Sequence, residues 1–266
     1  MQKVSMWAAV KKTWLLLNAR SGYYAKFALG LLAVNGLYVC LQLMSDVPEG
    51  EFRLDVAFVG LVYFIGSYLV SISLQHFSVL SCRNQTSFFP QRPVMVFFRY
   101  LLATIAIGAL AMIAAVIFGL PLMGVVFSGI LDNPDTLMFG VVLAVFAGLI
   151  MGVGSMIPIV RFAVIYPAIT VNDNWNYSKA WNMTKGHTGR MVAMAWIISL
   201  LSIVVDLIWG VMVGLNNPDV VLEPSATYLI VSSIYRTALG VFINAFLGVV
   251  YEDFKDRHEA MVGVGA

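Results

Sequence analysis

Charged side chains are scarce in this chain of 266 residues, in which Asp, Glu, Lys and Arg together make up only 11%. A soluble globular protein carries about 25% of them, because its surface has to face water. Apolar residues make up 60% of the chain, and the mean hydropathy is +0.86. The shortage of charge excludes a secreted enzyme, a disordered chain and a nucleic-acid-binding protein. It predicts an all-α membrane protein.

Cysteine and histidine are also rare, with two and three residues. Cys40 lies in an apolar run and Cys82 in a basic loop, and this difference in depth argues against a disulfide. His76 has no second metal-ligating residue at a suitable spacing. No nucleophile–base pair, carboxylate pair or phosphate-binding glycine loop is recognisable. The sequence therefore predicts a protein that is not an enzyme and that has no metal site and no cofactor.

Long apolar runs, in contrast, are abundant. A helix needs about 20 apolar residues to cross a hydrocarbon core of about 30 Å. We predict one polytopic membrane domain over residues 1–266, with Pro121 ending or kinking the third span and leaving 121–131 at the interface or folded back. The six predicted spans are 27–45, 55–80, 95–118, 137–160, 191–214 and 227–250.

Lys and Arg are distributed unevenly between the gaps that separate these spans. Fourteen of the sixteen lie in the N-terminal segment, in 81–99, in 161–190 and in the C-terminal tail. The gaps at 46–54, 131–136 and 215–226 are mainly acidic. Because positively charged segments remain on the inner side of a membrane, both termini are predicted to be cytoplasmic.

The segment 4–18 is predicted to be an amphipathic helix lying in the membrane interface. Trp7 and Trp14 recur at helical spacing beside Lys11 and Lys12, and tryptophan next to lysine suits the headgroup boundary. This segment precedes the first span, which crosses the membrane from the cytoplasmic side to the outer side. The segment 91–99 precedes the third span in the same way, so we predict three helical hairpins, each entered from an amphipathic element.

A second interfacial helix is predicted over 173–187. It carries Lys179, Trp181 and Lys185, and it is preceded by polar residues that would cap its N-terminus. The residues expected to supply this cap, directly before Trp175, are Asn172, Asp173 and Asn174.

Two charges fall inside predicted spans. Asp206 lies about 12 Å and Arg236 about 14 Å from the outer ends of the fifth and sixth spans, at 1.5 Å per residue. An isolated charge at this depth costs several kcal/mol, so we predict an ion pair between the two helices. The pair would fasten the helices together; alternatively it would act as a proton or substrate relay.

Four glycines have the small-xxx-small spacing that lets membrane helices approach closely. Packing within the chain is the first interpretation, and contact with another subunit is the alternative. The two pairs are Gly148 with Gly152 and Gly210 with Gly214.

The stretch 158–190 has the pattern R-x(5)-P-A followed by A-W-x-x-T-K-G. It resembles the signature of a bacterial membrane family that includes YciC-like proteins and the membrane domain fused to some glycerophosphodiester phosphodiesterases. The resemblance implies a multi-pass bacterial inner-membrane domain without the hydrolase. The matching residues are Arg161, Pro167, Ala168, Ala180, Trp181, Thr184, Lys185 and Gly186.

The same stretch predicts a basic, aromatic shelf at the cytoplasmic surface, with Arg161 at phosphate level. Such a shelf would bind anionic lipid headgroups or would only set the depth of the helices. Its residues are Arg161, Trp175, Lys179, Trp181, Lys185 and Arg190.

These features lead to two functional hypotheses. The first is a non-catalytic accessory or scaffold subunit of a membrane protein complex. The alternative is a protein that binds lipid or transports lipid or a small solute. The expected partners are membrane lipids with anionic cytoplasmic headgroups and other membrane subunits, and no nucleic acid.

Overall fold

The computed structural model describes residues 5–44, 54–128, 136–173, 176–216 and 226–263, which are almost entirely helical and contain no strand. The helices in the described residues are α1 (Met6–Ala19), α2 (Ser21–Met44), α3 (Leu54–Cys82), α4 (Pro93–Phe127), α5 (Leu137–Phe162), α6 (Ile165–Thr170), α7 (Tyr177–Thr184), α8 (Thr188–Asn216) and α9 (Ala226–Gly263).

Six of these helices, α2, α3, α4, α5, α8 and α9, are long and apolar enough to cross a membrane. They coincide with the six predicted spans, so the prediction of a multi-pass all-α membrane protein is confirmed. Most helices extend beyond the predicted bounds. α9 is the extreme case, because it continues for 38 residues.

Pro121 does not end the third span, and that part of the prediction is wrong. It lies inside α4, which continues to Phe127. A proline removes one backbone hydrogen bond, but a helix that ended within the hydrocarbon would leave several more backbone groups without partners. Residues 121–127 therefore continue the helix of the third span, and 129–131 lie outside the described residues.

The spanning helices pack as two groups. α2, α3 and α9 pack against one another, and α4 pairs along α5, which also contacts α8. Two of the predicted hairpins, α2–α3 and α4–α5, are present. The third differs, because in the described residues α8 packs mainly against α5 whereas α9 packs mainly against α2, α3 and α1.

The buried core is concentrated at one end of the bundle, which we call the basic end. It comprises α1, the loop 83–92, residues 163–173 and 176–187 and the C-terminal part of α9, so the described parts of both termini lie together there. The largest cluster includes Ala9, Val164, Ala180, Val249 and Phe254, which come from α1, the start of α6, α7 and α9. In α3 the buried residues are confined to its last third, from residue 72 onwards.

The helix α1 corresponds to the predicted interfacial helix 4–18. Met6, Ala9 and Thr13 face the protein. Trp7 and Trp14 are 77% and 60% exposed on an adjacent side of the helix, where they could contact the interface.

The helix α7 corresponds to the second predicted interfacial helix but is shorter. Its N-cap is Asn176, whose side-chain oxygen accepts from the backbone N–H of Lys179 at 2.7 Å. The predicted caps are wrong for two residues, because Asn172 has a positive φ of 56° and Asp173 lies in an ion network. Asn174 and Trp175 lie outside the described residues.

Two glycines permit close contacts between helices. A Cβ at Gly248 of α9 would lie 2.8 Å from Ser78 Cβ and 3.2 Å from the backbone nitrogen of Val79 in α3. A Cβ at Gly154 of α5 would overlap the ring of Phe118 in α4. Neither glycine belongs to the pairs that sequence spacing predicted.

We expect Gly248→Ala to lower the stability of the protein by about 1–3 kcal/mol, the usual cost of overpacking. The added methyl group would meet backbone atoms of α3, which cannot move aside as a flexible side chain can. Thermal unfolding in detergent would measure the effect. Gly148→Ala is the matched control, because a Cβ there meets nothing within 4 Å; equal melting temperatures for both variants would contradict the packing argument.

Candidate functional site

Arg161, near the C-terminus of α5, binds the end of α7. Its Nη2 donates to the carbonyl oxygen of Trp181 at 2.8 Å and its Nε donates to Thr184 Oγ1 at 3.3 Å. The guanidinium carbon lies 3.4 Å from the centroid of the Trp181 ring. This combination of stacking and directed donors is available to arginine and not to lysine.

The predicted position of Arg161 on the lipid-facing shelf is therefore wrong. Its side chain is only 8% exposed, and it donates to the Trp181 carbonyl in the last turn of α7, where backbone partners are lacking. Of the remaining shelf residues, Lys185 and Arg190 are exposed, Lys179 is half-buried and Trp181 is 40% exposed. Trp175 lies outside the described residues.

An ion network joins three parts of the basic end. Arg83 follows α3, and its Nη2 and Nε donate to Glu252 Oε1 of α9 at 2.6 and 3.1 Å. The same Nη2 lies 3.4 Å from Asp173 Oδ2, in the connection between α6 and α7. Lys255 of α9 donates to this Asp173 oxygen at 2.8 Å, and the Tyr251 hydroxyl also donates to it.

The environment shifts the pKa values of two members of this network. The hydrogen bond to Glu252 raises the pKa of Arg83, even though burial opposes the charged form. Burial alone would raise the pKa of Asp173. The hydrogen bonds from Lys255 and Tyr251 and the charge of Arg83 outweigh it, so the pKa of Asp173 lies below its ordinary value of 3.8.

The helix α1 is tied to α9 by a separate ion pair, in which Lys12 Nζ lies 2.6 Å from Asp253 Oδ1. Burial lowers the pKa of Lys12, but the hydrogen bond and charge of Asp253 outweigh this effect and raise it overall. Lys11 is exposed. One of the two lysines predicted to face lipid headgroups thus holds α1 against the bundle.

The sequence interpretation missed the network of Arg83, Asp173, Tyr251 and Glu252. Acidic residues were considered in the gaps at 46–54, 131–136 and 215–226 but not as partners of the cations in the basic segments. The sequence does contain a signal for the network. Asp173 and Glu252 are carboxylates within segments rich in Lys and Arg, where ion pairs are expected.

Polar side chains inside the spans bond to one another. Gln75 Nε2 of α3 donates to Asn244 Oδ1 of α9 at 2.8 Å and to the Tyr100 hydroxyl of α4 at 3.1 Å. Asn35 of α2 donates to Thr237 Oγ1 of α9 at 2.8 Å. Such bonds hold helices together where hydrophobicity gives no preference between protein and lipid.

His76 is likewise satisfied. Its Nδ1 lies 2.8 Å from the carbonyl oxygen of Thr170, and it must carry the proton that this carbonyl accepts. Among the described residues, no three His, Cys, Asp or Glu side chains are placed to hold a metal ion together.

A polar cleft of about 290 Å³ lies between α3, α4 and α6. Its lining carries hydroxyl groups and no charge, and the rings of Tyr100 and Tyr166 lie 4.6 Å apart within it. The lining residues are Ser67, Tyr68, Ser71, Tyr100, Thr104 and Tyr166. The sequence interpretation did not identify this cleft.

The predicted ion pair between Asp206 and Arg236 lies only partly within the described structure. The Arg236 guanidinium carbon is 5.7 Å from the centroid of the Tyr38 ring in α2. Asp206 belongs to α8, but its side chain lies outside the described residues. The pair therefore stays a prediction.

The predicted packing glycines have different surroundings. A Cβ on Gly152 would lie 3.1 Å from the Trp196 ring of α8, whereas a Cβ on Gly148 would meet nothing within 4 Å. Gly210 and Gly214 lie on α8, where the structure describes the helical backbone but not their surroundings.

Comparisons with protein-family models, with curated proteins and with solved structures found no match to this chain.

We expect Arg83→Gln to lower stability by about 2–3 kcal/mol, because it leaves the buried Glu252 carboxylate without its closest cation. The double variant Arg83→Gln, Glu252→Gln should recover part of this loss. Chemical denaturation in detergent would measure both variants. Lys185→Gln, which removes an exposed cation from the same end, should change little, and additive losses in the double variant would show that the two side chains do not interact.

The Asp173 carboxylate should make stability depend on pH. Because its pKa is lowered in the folded protein, its contribution is fully present above 3.8 and is lost as the pH falls through the lower, folded value. Between about pH 5 and about pH 3, the melting temperature of Asp173→Asn should therefore fall less steeply than that of the wild type. The exposed Glu259→Gln is the control; a wild-type slope in Asp173→Asn would refute the argument.

Proposed function

We propose that this protein is a non-catalytic component of the bacterial inner membrane, with both termini in the cytoplasm, and that it acts as an accessory or scaffold subunit of a membrane protein complex. The proposal rests mainly on the incomplete packing of α8. Between residues 193 and 208, none of its described side chains is buried.

The exposed side of this segment is a broad apolar face. At 100° per residue, its large exposed side chains cover an arc of about 160°. They are Ile197, Leu200, Leu201, Ile203, Val204, Leu207 and Ile208. In contrast, 44% of the most apolar window of α9 is buried inside the protein. A helix of a partner subunit would give α8 the packing that its own chain supplies to α9.

The chemistry of the described residues also favours a structural role. Four buried or half-buried charges of the basic end neutralise one another in pairs, Arg83 with Glu252 and Lys255 with Asp173. Inside the spans, Gln75 and Asn244 are bonded to each other. Catalysis or transport requires groups that remain available to a substrate, and these groups are instead used to hold helices together.

A photo-reactive residue placed on α8 would test the proposal in native membranes. We expect substitutions at Leu201 and Leu207, which are 53% and 61% exposed, to give an adduct of one defined protein mass. The control is Met112 on α4, which is 72% exposed and should not give that adduct. Mild-detergent purification with protein and lipid mass spectrometry would identify the partner.

The same purification addresses the alternative of lipid binding. That alternative draws on Lys185 and Arg190, the two shelf cations that remain exposed. Recovery of the chain alone, with one anionic lipid enriched over the bulk membrane and no adduct from α8, would contradict the scaffold role and favour lipid binding.

A further inference from the structure

The start of α4 carries a groove of about 580 Å³ on the outer surface of the bundle. Arg92 lies at one end, immediately before the first helical residue, and Arg99 lies seven residues further along. Positions seven apart share one face of a helix. Between and beyond them, the groove is lined by Pro93, Val94, Met95, Phe98 and Leu102.

The positive charges of this groove are not neutralised. Both arginines are exposed, and among the described residues no carboxylate lies within salt-bridge distance of either. Arg99 Nη1 donates to Asn172 Oδ1 at 3.1 Å. This neutral amide orients the guanidinium beside the loop that follows α6 and leaves its charge in place.

The start of the helix adds to the positive potential. Arg92 occupies the N-cap position and makes no side-chain capping bond. The first N–H groups of α4 therefore lack an acceptor from that side chain, and the partial positive charge of the helix N-terminus lies beside the two guanidinium groups.

The floor of the groove is apolar. Met95, Phe98 and Leu102 are 43%, 57% and 65% exposed, and they continue directly into the membrane-spanning part of α4. A cationic rim at the end of a span and an apolar track along the span match the two parts of a phospholipid. The groove differs from the basic surface near Lys26, where the ammonium group already lies 5.6 Å from the Tyr23 ring centroid.

We propose that this groove binds one anionic phospholipid of the surrounding membrane. Its phosphate lies between Arg92 and Arg99, and one acyl chain follows Met95, Phe98 and Leu102. A zwitterionic lipid is disfavoured because its ammonium group would approach two unneutralised arginines. This site is separate from the predicted shelf and from the α8 face, so it goes beyond the scaffold role.

Native mass spectrometry of the purified chain, titrated with phosphatidylglycerol or phosphatidylcholine, would test the site. We expect the wild type to retain one phosphatidylglycerol in preference to phosphatidylcholine. Arg92→Gln, Arg99→Gln should weaken this binding about 30-fold, as two cations near a membrane surface would. Arg92→Lys, Arg99→Lys keeps both charges and should retain most of the binding.

Two further variants separate specific binding from general attraction and from phosphate binding. Lys11→Gln, Lys185→Gln removes two exposed cations from the same end of the bundle and should leave the affinity within about twofold. Phe98→Ala should weaken binding of the long-chain lipid, whereas soluble glycerol 3-phosphate should show no measurable binding. Three results would each overturn the proposal. They are equal losses of affinity in Arg92→Gln, Arg99→Gln and in Lys11→Gln, Lys185→Gln, equal retention of the two lipids by the wild type, and tight binding of glycerol 3-phosphate.

Discussion

The basic end depends on one buried carboxylate. Glu252 lies on α9 with only 9% of its side chain exposed, and a charge in that position requires a cation held at short range. Arg83 supplies it from the end of α3 and also reaches Asp173. Lys255 of α9 also pairs with Asp173. The end of α3, the C-terminal part of α9 and the connection between α6 and α7 are therefore linked in one network.

The other contacts of the basic end surround this network. Lys12 ties α1 to the next residue of α9, Asp253. Arg161 joins α5 to α7 by stacking on Trp181. Short helices and charged loops thus cover the end of the bundle, and the spans are packed most tightly where they meet it. The apolar faces that remain belong to several spans, since α3 and α4 bury as little of their most apolar windows as α8 does.

The architecture was predictable because it depends on long-range averages. The length and hydropathy of the six runs, together with the spacing of Trp7 and Trp14, are sufficient to identify α1 and the spans. The details depend on pairwise contacts that composition does not contain. Pro121 alone predicts a helix end, yet α4 continues through it to Phe127.

The contrast between average properties and pairwise contacts also explains which site residues were predicted correctly. Arg161 was singled out in the sequence, but it was predicted to contact lipid phosphates. The sequence does not show that the end of α7 lies within its reach. Gly248 has no small-xxx-small partner, and only the approach of Ser78 reveals why it is glycine. The pairing of Arg83 with Glu252 joins positions 169 residues apart and required the fold to be known.

The continuity of α9 has a mechanical consequence. Its 38 residues form an uninterrupted helix about 57 Å long. A tilt of about 10° at one end would carry the other end through about 10 Å, since a helix of that length behaves as a stiff rod. Glu252 and Asp253 lie about 40 Å along this helix from Ala226, so a tilt of the helix would change their distances to Arg83 and Lys12.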